Sequence, residues 1–402
     1  MKKIKHRRTL AVICLIVLVL NLLAGCGSKS GGNDSGDGSS QSAKETVKQA
    51  LEPDRISGDL TWKDKMPLDY ATQFSVDYYE DGYALVTIAD SDQYLLVPEG
   101  KEAPSDLAKS VKVIKNPARH IYLVASAVMD MFDSFGGMDA LAYTGTKEKD
   151  WYIEDAQKAM ADGKLIYAGK YSAPDYEMII SGGCDLAIEN TMIYHTPEVK
   201  EQLEKFGIPV IVDNSSYEEN PLGRCEWVKL YGLLSGYEEA AVKAFQEQED
   251  EFNRIKDSDK TGKTVAFFYI TTDGQANVRK SNDYLAKMIN MAGGEYIFND
   301  LGADDDSASS TMSMTMEEFY AGAVDADYII YNSTIEGELD DIGDLLALSS
   351  MLERFKAVKE GHVYCTTKNL YQSSMELGTI IADIYHMLHD ENDQLTYIYK
   401  VE

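Results

Sequence analysis

Tyr171, Tyr194, Tyr217 and Tyr371, with Trp151, supply flat apolar rings; Lys147, Lys170 and Arg279 supply positive charge; Ser126, Glu189, Asn190 and Asn332 supply hydrogen-bonding groups. Rings bring large contact area at small entropic cost, and a guanidinium fork or an ammonium balances an anion. Together these types suit the holding of a bulky, planar or anionic solute. Settings for bond-making chemistry are missing: there is no Gly-x-Ser-x-Gly elbow, no His-Glu-x-x-His, no glycine-rich phosphate loop ahead of a helix and no convincing Cys–His pair. Gly293-Gly294 follows a helical pattern and punctuates its end. A metal centre needs several imidazoles and carboxylates that converge. His120 and His362 precede strand patterns, His386 and His389 share the last helical pattern, and His195 alone stands near a strand end. No metal site, cofactor or catalytic residue is therefore expected; a bare zinc or manganese receptor and a surface-anchored enzyme remain the alternatives.

The elements that position these residues alternate. "HIYLVAS", "ALAYTG", "CDLAIEN" and "IPVIVDN" read as short apolar strands, separated by the helical patterns "AVMDMFDSFG", "IEDAQKAMADG", "DYEMIISGG" and "TPEVKEQLEKFG". The alternation resumes with "TVAFFYI", "SNDYLAKMINMAGG", "MEEFYAGAV", "DYIIYN", "MLERFKAVKEG", "HVYCTT" and "ELGTIIADIYHMLHD". Repeated strand and helix argue parallel sheets covered on both faces. Between the two series, "YEEAAVKAFQEQEDEFNRIKDSD" places Ala241, Phe245, Phe252 and Ile255 at helical spacing without a breaker. The expected fold class is α/β: two lobes, each with a central mostly parallel sheet flanked by helices, joined by one long bridging helix. The lobes are expected at 111–236 and 259–402 and the helix at 237–258. Residues 51–110, with turn signals at Asp81-Gly82 and Asp90-Ser91-Asp92, read as an amino-terminal β-rich extension. In open α/β sheets ligands lie beyond the carboxyl ends of the strands. That rule selects the residues named above, with the loop Thr272–Arg279 on the second lobe.

The amino terminus addresses the chain. Lys2, Lys3, Lys5, Arg7 and Arg8 precede an apolar run from Leu10 to Leu20, the pattern of a secretory signal over residues 1–25. The run is shorter than the ~20 residues that span a bilayer. Leu23-Ala24-Gly25-Cys26 resembles the bacterial lipobox, which implies cleavage of the leader and acylation of Cys26. Two or three acyl chains, at ~0.8 kcal/mol per buried methylene, hold a soluble domain at a membrane. Residues 26–50, opening in Gly, Ser, Asp and Asn, read as a flexible tether. Loss of residues 1–25, with five basic and no acidic side chains, takes the net charge from -29 to -34. So acidic a body is repelled by polyanions, which excludes nucleic acid as an expected partner. Cys184, Cys225 and Cys365 remain, an odd number without zinc or redox spacing, and are expected as free thiols.

The order of lipobox, tether, α/β lobe, long helix and α/β lobe resembles the helical-backbone solute-binding lipoproteins of ABC importers for iron-siderophores, haem and cobalamin. "APDYEMIISGGCDLAI", "NVRKSNDYLAKMINMAGGEYIF" and "TMEEFYAGAVDADYIIY" carry the resemblance, which covers about 110–390. It implies an extracytoplasmic, lipid-anchored monomer that captures a metal chelate, an iron-siderophore ahead of haem or cobalamin, and passes it to an ABC permease dimer with its ATPase. It further implies that Glu177 and Glu317 dock the lobes onto permease arginines. Each glutamate lies eight residues before an aspartate, Asp185 or Asp325, that leads into a strand, with Ser172 and Thr315 as candidate N-caps. A single bridging helix implies a small hinge motion.

Overall fold

The computed structural model describes residues 55–303 and 310–402. Cys26, the leader and the tether lie outside the described residues. Five strands open the described chain: β1 (Trp62–Lys65), β2 (Phe74–Tyr79), β3 (Ala84–Ile88), β4 (Asp92–Pro98) and β5 (Lys112–Asn116), in that order across one sheet. The first four run antiparallel, and β5 runs parallel to β4. Asp81 and Gly82 between β2 and β3, and Ala89 and Asp90 between β3 and β4, take positive φ, the backbone that closes tight hairpins. Alternation buries both faces. Val76, Val86, Tyr94, Leu96 and Ile114 join the main core, while Trp62, Tyr79, Leu85, Leu95 and Val97 form a smaller one beneath Ile56 and Val111. The sheet is fused to the rest of the molecule rather than hung from it.

The first lobe runs β6 (Ile121–Leu123), α1 (Ser126–Ser134), β7 (Leu141–Thr144), α2 (Glu154–Ala161), β8 (Ile166–Tyr167), a small hairpin β9 (Gly169–Lys170) and β10 (Ala173–Pro174), α3 (Tyr176–Ser181), β11 (Leu186–Asn190), α4 (Pro197–Lys205) and β12 (Val210–Asp213). Its parallel sheet has the order β12-β11-β6-β7-β8. Pro197 opens α4, and Gly207, at φ 80, follows its last turn, the usual asymmetry of helix ends.

Two helices then run back to back, α5 (Pro221–Ser235) and α6 (Glu238–Asn253), reversing at Gly236 with φ 79. A Cβ on Gly232 would lie 2.3 Å from Ala241 Cβ, so the pair is in backbone-close contact. Helix α6 bridges the lobes, ending at Asn253 with turns beyond it, but it does not run alone. The expected bridging helix is present with α5 packed beside it, which the sequence did not signal because α5 is buried on every side except at Arg224 and lacks the one-sided stripe that periodicity detects.

The second lobe comprises β13 (Thr264–Ile270), β14 (Ala276–Arg279), α7 (Tyr284–Met291), β15 (Glu295–Tyr296), β16 (Thr311–Met314), α8 (Met316–Ala323), β17 (Tyr328–Tyr331), α9 (Ser333–Glu336), α10 (Ile342–Leu348), α11 (Lys356–Glu360), β18 (Val363–Thr366), α12 (Leu377–Leu388) and β19 (Ile398–Lys400). The sheet order is β16-β14-β13-β17-β18-β19, with β15 on β13, parallel at the centre and antiparallel toward both edges. The expected loop Thr272–Arg279 is corrected to a tight turn leading into β14, which pairs with β13. The expected two-lobe α/β architecture is present, with its lobes linked by long helices.

Candidate cleft between the lobes

Residues that follow the carboxyl ends of first-lobe strands meet second-lobe residues in two concavities, a cavity and a crevice. The cavity, about 610 Å³, lies between Tyr217 and Glu219 of the first lobe, Arg224 of α5, and Arg279, Tyr284 and Lys287 of the second. Arg224 is placed there by a well-signalled helix start. Asn220 accepts the Leu222 N–H at 2.9 Å, Pro221 takes the first helical position, and the fourth residue turns outward. Its guanidinium stacks on the Tyr284 ring at 4.0 Å and donates to the Ser216 carbonyl at 3.5 Å. Arg279, at the end of β14, is 3.9 Å from Asp283, and Lys287 is 3.9 Å from the exposed Glu219. Burial pushes the Asp283 carboxyl up, and the Arg279 guanidinium opposes that rise. Three cations thus meet in one cavity with three carboxylates, of which Glu218 is spent on the Thr72 and Gln73 N–H groups and the Trp227 indole, while Glu219 and Asp283 sit at the limit of ion-pair distance. Such a wall accepts a further anion.

At the crevice the lobes touch. Gln372 accepts the Tyr152 N–H at 2.8 Å and donates to the Asp150 carbonyl at 2.9 Å and to the Tyr371 hydroxyl at 3.0 Å. Tyr152 and Tyr371 meet edge to face at 6.2 Å. Below this clamp the Met375 N–H donates to Asp130 at 2.6 Å, the Ser374 hydroxyl to the Ala127 carbonyl, and the Cys225 thiol to the Ser374 carbonyl at 3.1 Å. Further down, Gln248 of α6 accepts from the Gly378 N–H at 3.1 Å and the Thr379 N–H at 3.3 Å.

The sequence-selected residues divide. Tyr194, Tyr217 and Tyr371 are about half exposed; Tyr217 and Arg279 line the cavity, and Tyr371 lies against Gln372 and Tyr152 at the lobe contact. Lys147 is exposed with its ammonium 5.7 Å from the Tyr167 ring, and Lys170 and Tyr171 form the tip of the β9–β10 hairpin. Ser126 opens α1 half-buried, and the Asn190 side chain accepts the Met192 N–H. Three others are corrected to interior roles. Trp151 is 1% exposed in the main core, because a large apolar ring after the Glu148–Asp150 turn packs inward. Asn332, 1% exposed, spends its side-chain oxygen capping α9 through Thr334. Glu189 is wholly buried with neither oxygen bonded, and burial pushes its carboxyl up to about 8. Alternation along β11 turns it into the packed face beside Ala187, away from the cleft. Arg224, Lys287 and Tyr284 were not selected from sequence, although Asn220-Pro221 and Gly236 bracket the helix that carries Arg224.

Glu177 and Glu317 are exposed in the first turns of α3 and α8. Asp175, not Ser172, caps α3, accepting the Met178 N–H at 3.0 Å; Thr315 caps α8 in a full capping box with Glu318. Cys184, Cys225 and Cys365 are free thiols. His362 stacks on Tyr328, and His386 pairs with Glu391. Among the described residues no three His, Cys, Asp or Glu side chains gather as a metal ion requires.

The Periplasmic binding protein family profile matches residues 123–370, leaving the amino-terminal sheet outside. An uncharacterized lipoprotein of Methanocaldococcus jannaschii is 27% identical over 413 residues, covering 96% of this chain and 94% of its own. Among solved structures, a periplasmic binding protein from Veillonella parvula superposes with a TM-score of 0.53 at 19% identity, covering 68% of this chain and 93% of its own. A periplasmic haem binding protein from Pseudomonas aeruginosa gives 0.53 at 16%, covering 71% and 98%. An ABC-type Fe3+-hydroxamate transport protein from Saccharomonospora viridis gives 0.51 at 17%, covering 68% and 93%. These likenesses show the fold. Matched by the profile over more than half its length, and carrying two lobes that close on a cation-lined cavity, the chain belongs to the periplasmic binding protein family.

Proposed function

We propose that this chain is the lipid-anchored, extracytoplasmic solute receptor of an ABC importer and that its solute is an anionic metal chelate, an iron-siderophore in the first place. The observation that carries the reading is the cavity in which Arg224, Arg279 and Lys287 converge beside the half-exposed Tyr217. Guanidinium and ammonium groups recognise carboxylate, hydroxamate or catecholate oxygens, and the rings supply the apolar walls. Haem and Fe3+-hydroxamate handling by proteins of the same fold supports the class of solute. Anchoring through Cys26 is supported by the lipobox pattern and by the lipoprotein name of the archaeal relative.

Glu177 and Glu317 are proposed to dock onto permease guanidinium groups. Helices α3 and α8 each return the chain from the cleft edge of a lobe to the start of a parallel strand, β11 or β17. Both glutamates therefore stand on the cleft-bearing face of their own lobes. A thermal-shift screen against ferric siderophores, haemin and cobalamins tests the solute. A ligand at 100 times its Kd raises unfolding free energy by about 2.7 kcal/mol. A ferric siderophore is expected to raise the Tm and its iron-free form to raise it less; indifference to every chelate would refute the reading. Glu177→Ala with Glu317→Ala should abolish uptake and leave solute affinity unchanged, and an equal loss of affinity would remove the docking role.

A further inference from the structure

We propose that the seam between the lobes is a proton-dependent latch: protonation of carboxyl groups in the crevice beside the Gln372 clamp favours the closed lobes seen here, and their ionisation favours opening. As a means of solute release this rests on the receptor reading above, but the latch itself is a property of the empty protein. The crevice, about 350 Å³, is built from both lobes. Asp130 and Asp133 come from α1, Glu154 and Asp155 from α2, and Glu376 and Tyr397 from the segments around α12. Among the described residues no Lys, Arg or His lines it.

The groups that act on Asp130 are all neutral or acidic. They are Asp133 on its own helix, Cys225 from α5, Glu376 ahead of α12 and Tyr397 ahead of β19. Arg224, the cation nearest in sequence to Cys225, is turned into the other cavity and stacked on Tyr284. Closing the lobes therefore brings like charges together and removes water from them, with no counter-charge supplied. The interlobe bonds beside the crevice are two amide contacts of Gln372, the Ser374 hydroxyl to the Ala127 carbonyl and the Met375 N–H to Asp130, few enough to be overcome.

Burial pushes the Asp130 carboxyl up to about 7; the Met375 N–H opposes the rise, and Glu376 and Asp133 add to it. Burial raises Asp133 and Glu376 as well. An acid held near 7 in the closed seam and returned to its ordinary range in an open, solvated one binds its proton more tightly when closed. Closing is then strongest below about pH 4, weakens about tenfold per pH unit between about 4 and 7, and levels off above.

The test is amide hydrogen exchange on the full chain without solute, followed at the Tyr152 and Met375 N–H groups and corrected for intrinsic rate. Protection at both is expected to fall about tenfold per pH unit from pH 5 to 7, while the core Ala187 amide, bonded to the Pro209 carbonyl, stays constant. Asp130→Asn, which keeps the acceptor for Met375, should flatten most of the slope, and Glu376→Gln should move its upper end to lower pH. Protection independent of pH, or an unchanged slope in both variants, overturns the latch. If chelates bind and the slope is absent, the latch alone falls. If the slope is present and no chelate binds, it is the choice of solute that falls.

Discussion

Replacing Glu226 with alanine is expected to lower the free energy of unfolding by about 5 kcal/mol, although the residue lies in no cavity. Its carboxylate is fully buried on α5 and accepts the N–H groups of Asp69, Tyr70 and Ala71 at 2.9, 2.8 and 2.7 Å. It also pairs with Lys229 at 2.7 Å. Removing one partner of a buried ion pair costs about 3–5 kcal/mol. The three backbone N–H groups belong to an exposed or half-buried segment, where water replaces most of what they lose, so they bring the cost only to the upper end of that range. Lys229 would keep only the Pro67 carbonyl at 3.1 Å and the face of Phe245. The segment involved joins β1 to β2 and lies against α5 so closely that a Cβ on Gly223 would come 2.9 Å from the Tyr70 oxygen. Urea unfolding followed by the fluorescence of the three buried tryptophans, Trp62, Trp151 and Trp227, measures the loss, with an unchanged m-value marking an intact fold. Glu226→Met with Lys229→Met should recover part of it, because the stranded ammonium is gone while the three N–H groups stay unmet. A loss under about 1 kcal/mol for Glu226→Ala would refute the claim that this carboxylate fastens the amino-terminal sheet to the bridging helices.

Gly378→Ala places a Cβ 2.1 Å from the Gln248 carbonyl oxygen, where backbone of α6 must yield; a loss of about 3 kcal/mol is expected in the same unfolding assay. Glu189→Gln should change the pH dependence of stability. The buried acid is held near 8 in the folded state, so its contribution is full below its ordinary value of 4.5 and is lost as pH rises toward 8. The variant should therefore gain about 4 kcal/mol over the parent at pH 8.5 and nothing at pH 4, read from urea midpoints. Arg224→Ala should weaken an anionic chelate 10- to 100-fold in calorimetry and reduce the salt dependence of binding, leaving a neutral solute unaffected.

The core strands were legible because β6, β11, β12, β13, β17 and β18 are short apolar runs bounded by glycine, proline or a polar cap. The hairpin turns of the amino-terminal sheet were legible through Asp81-Gly82 and Asp90. Strands β14 and β16, ANVR and TMSM, were not, because a four-residue strand with polar positions has no period to measure. In the site, Tyr217 follows from the carboxyl-end rule, whereas Arg279 reaches the cavity although β14 carries it back from the carboxyl end of β13 to the level of Phe267. Trp151, Glu189 and Asn332 show its limit: it ranks chain positions, whereas a residue's role depends on which way its side chain leaves the backbone. Glu189 differs from its neighbour Asn190 by one step of the pleat, and that step separates a sealed interior from the cleft rim.

Helix α5 shows why the most informative element was the hardest to read. Successive residues of an α-helix are about 100° apart, so four in a row face four directions. Arg224 enters the cation-lined cavity, Cys225 meets the Ser374 carbonyl in the seam, Glu226 holds the amino-terminal sheet, and the Trp227 indole donates to Glu218 at 2.8 Å while its ring meets Phe74. Every face has a partner, so the helix has no polar stripe to alternate with its apolar one. The same arrangement ties the cation-bearing cavity, the lobe seam and the extra sheet to one helix. A displacement of α5 cannot serve one of these contacts without straining the other two.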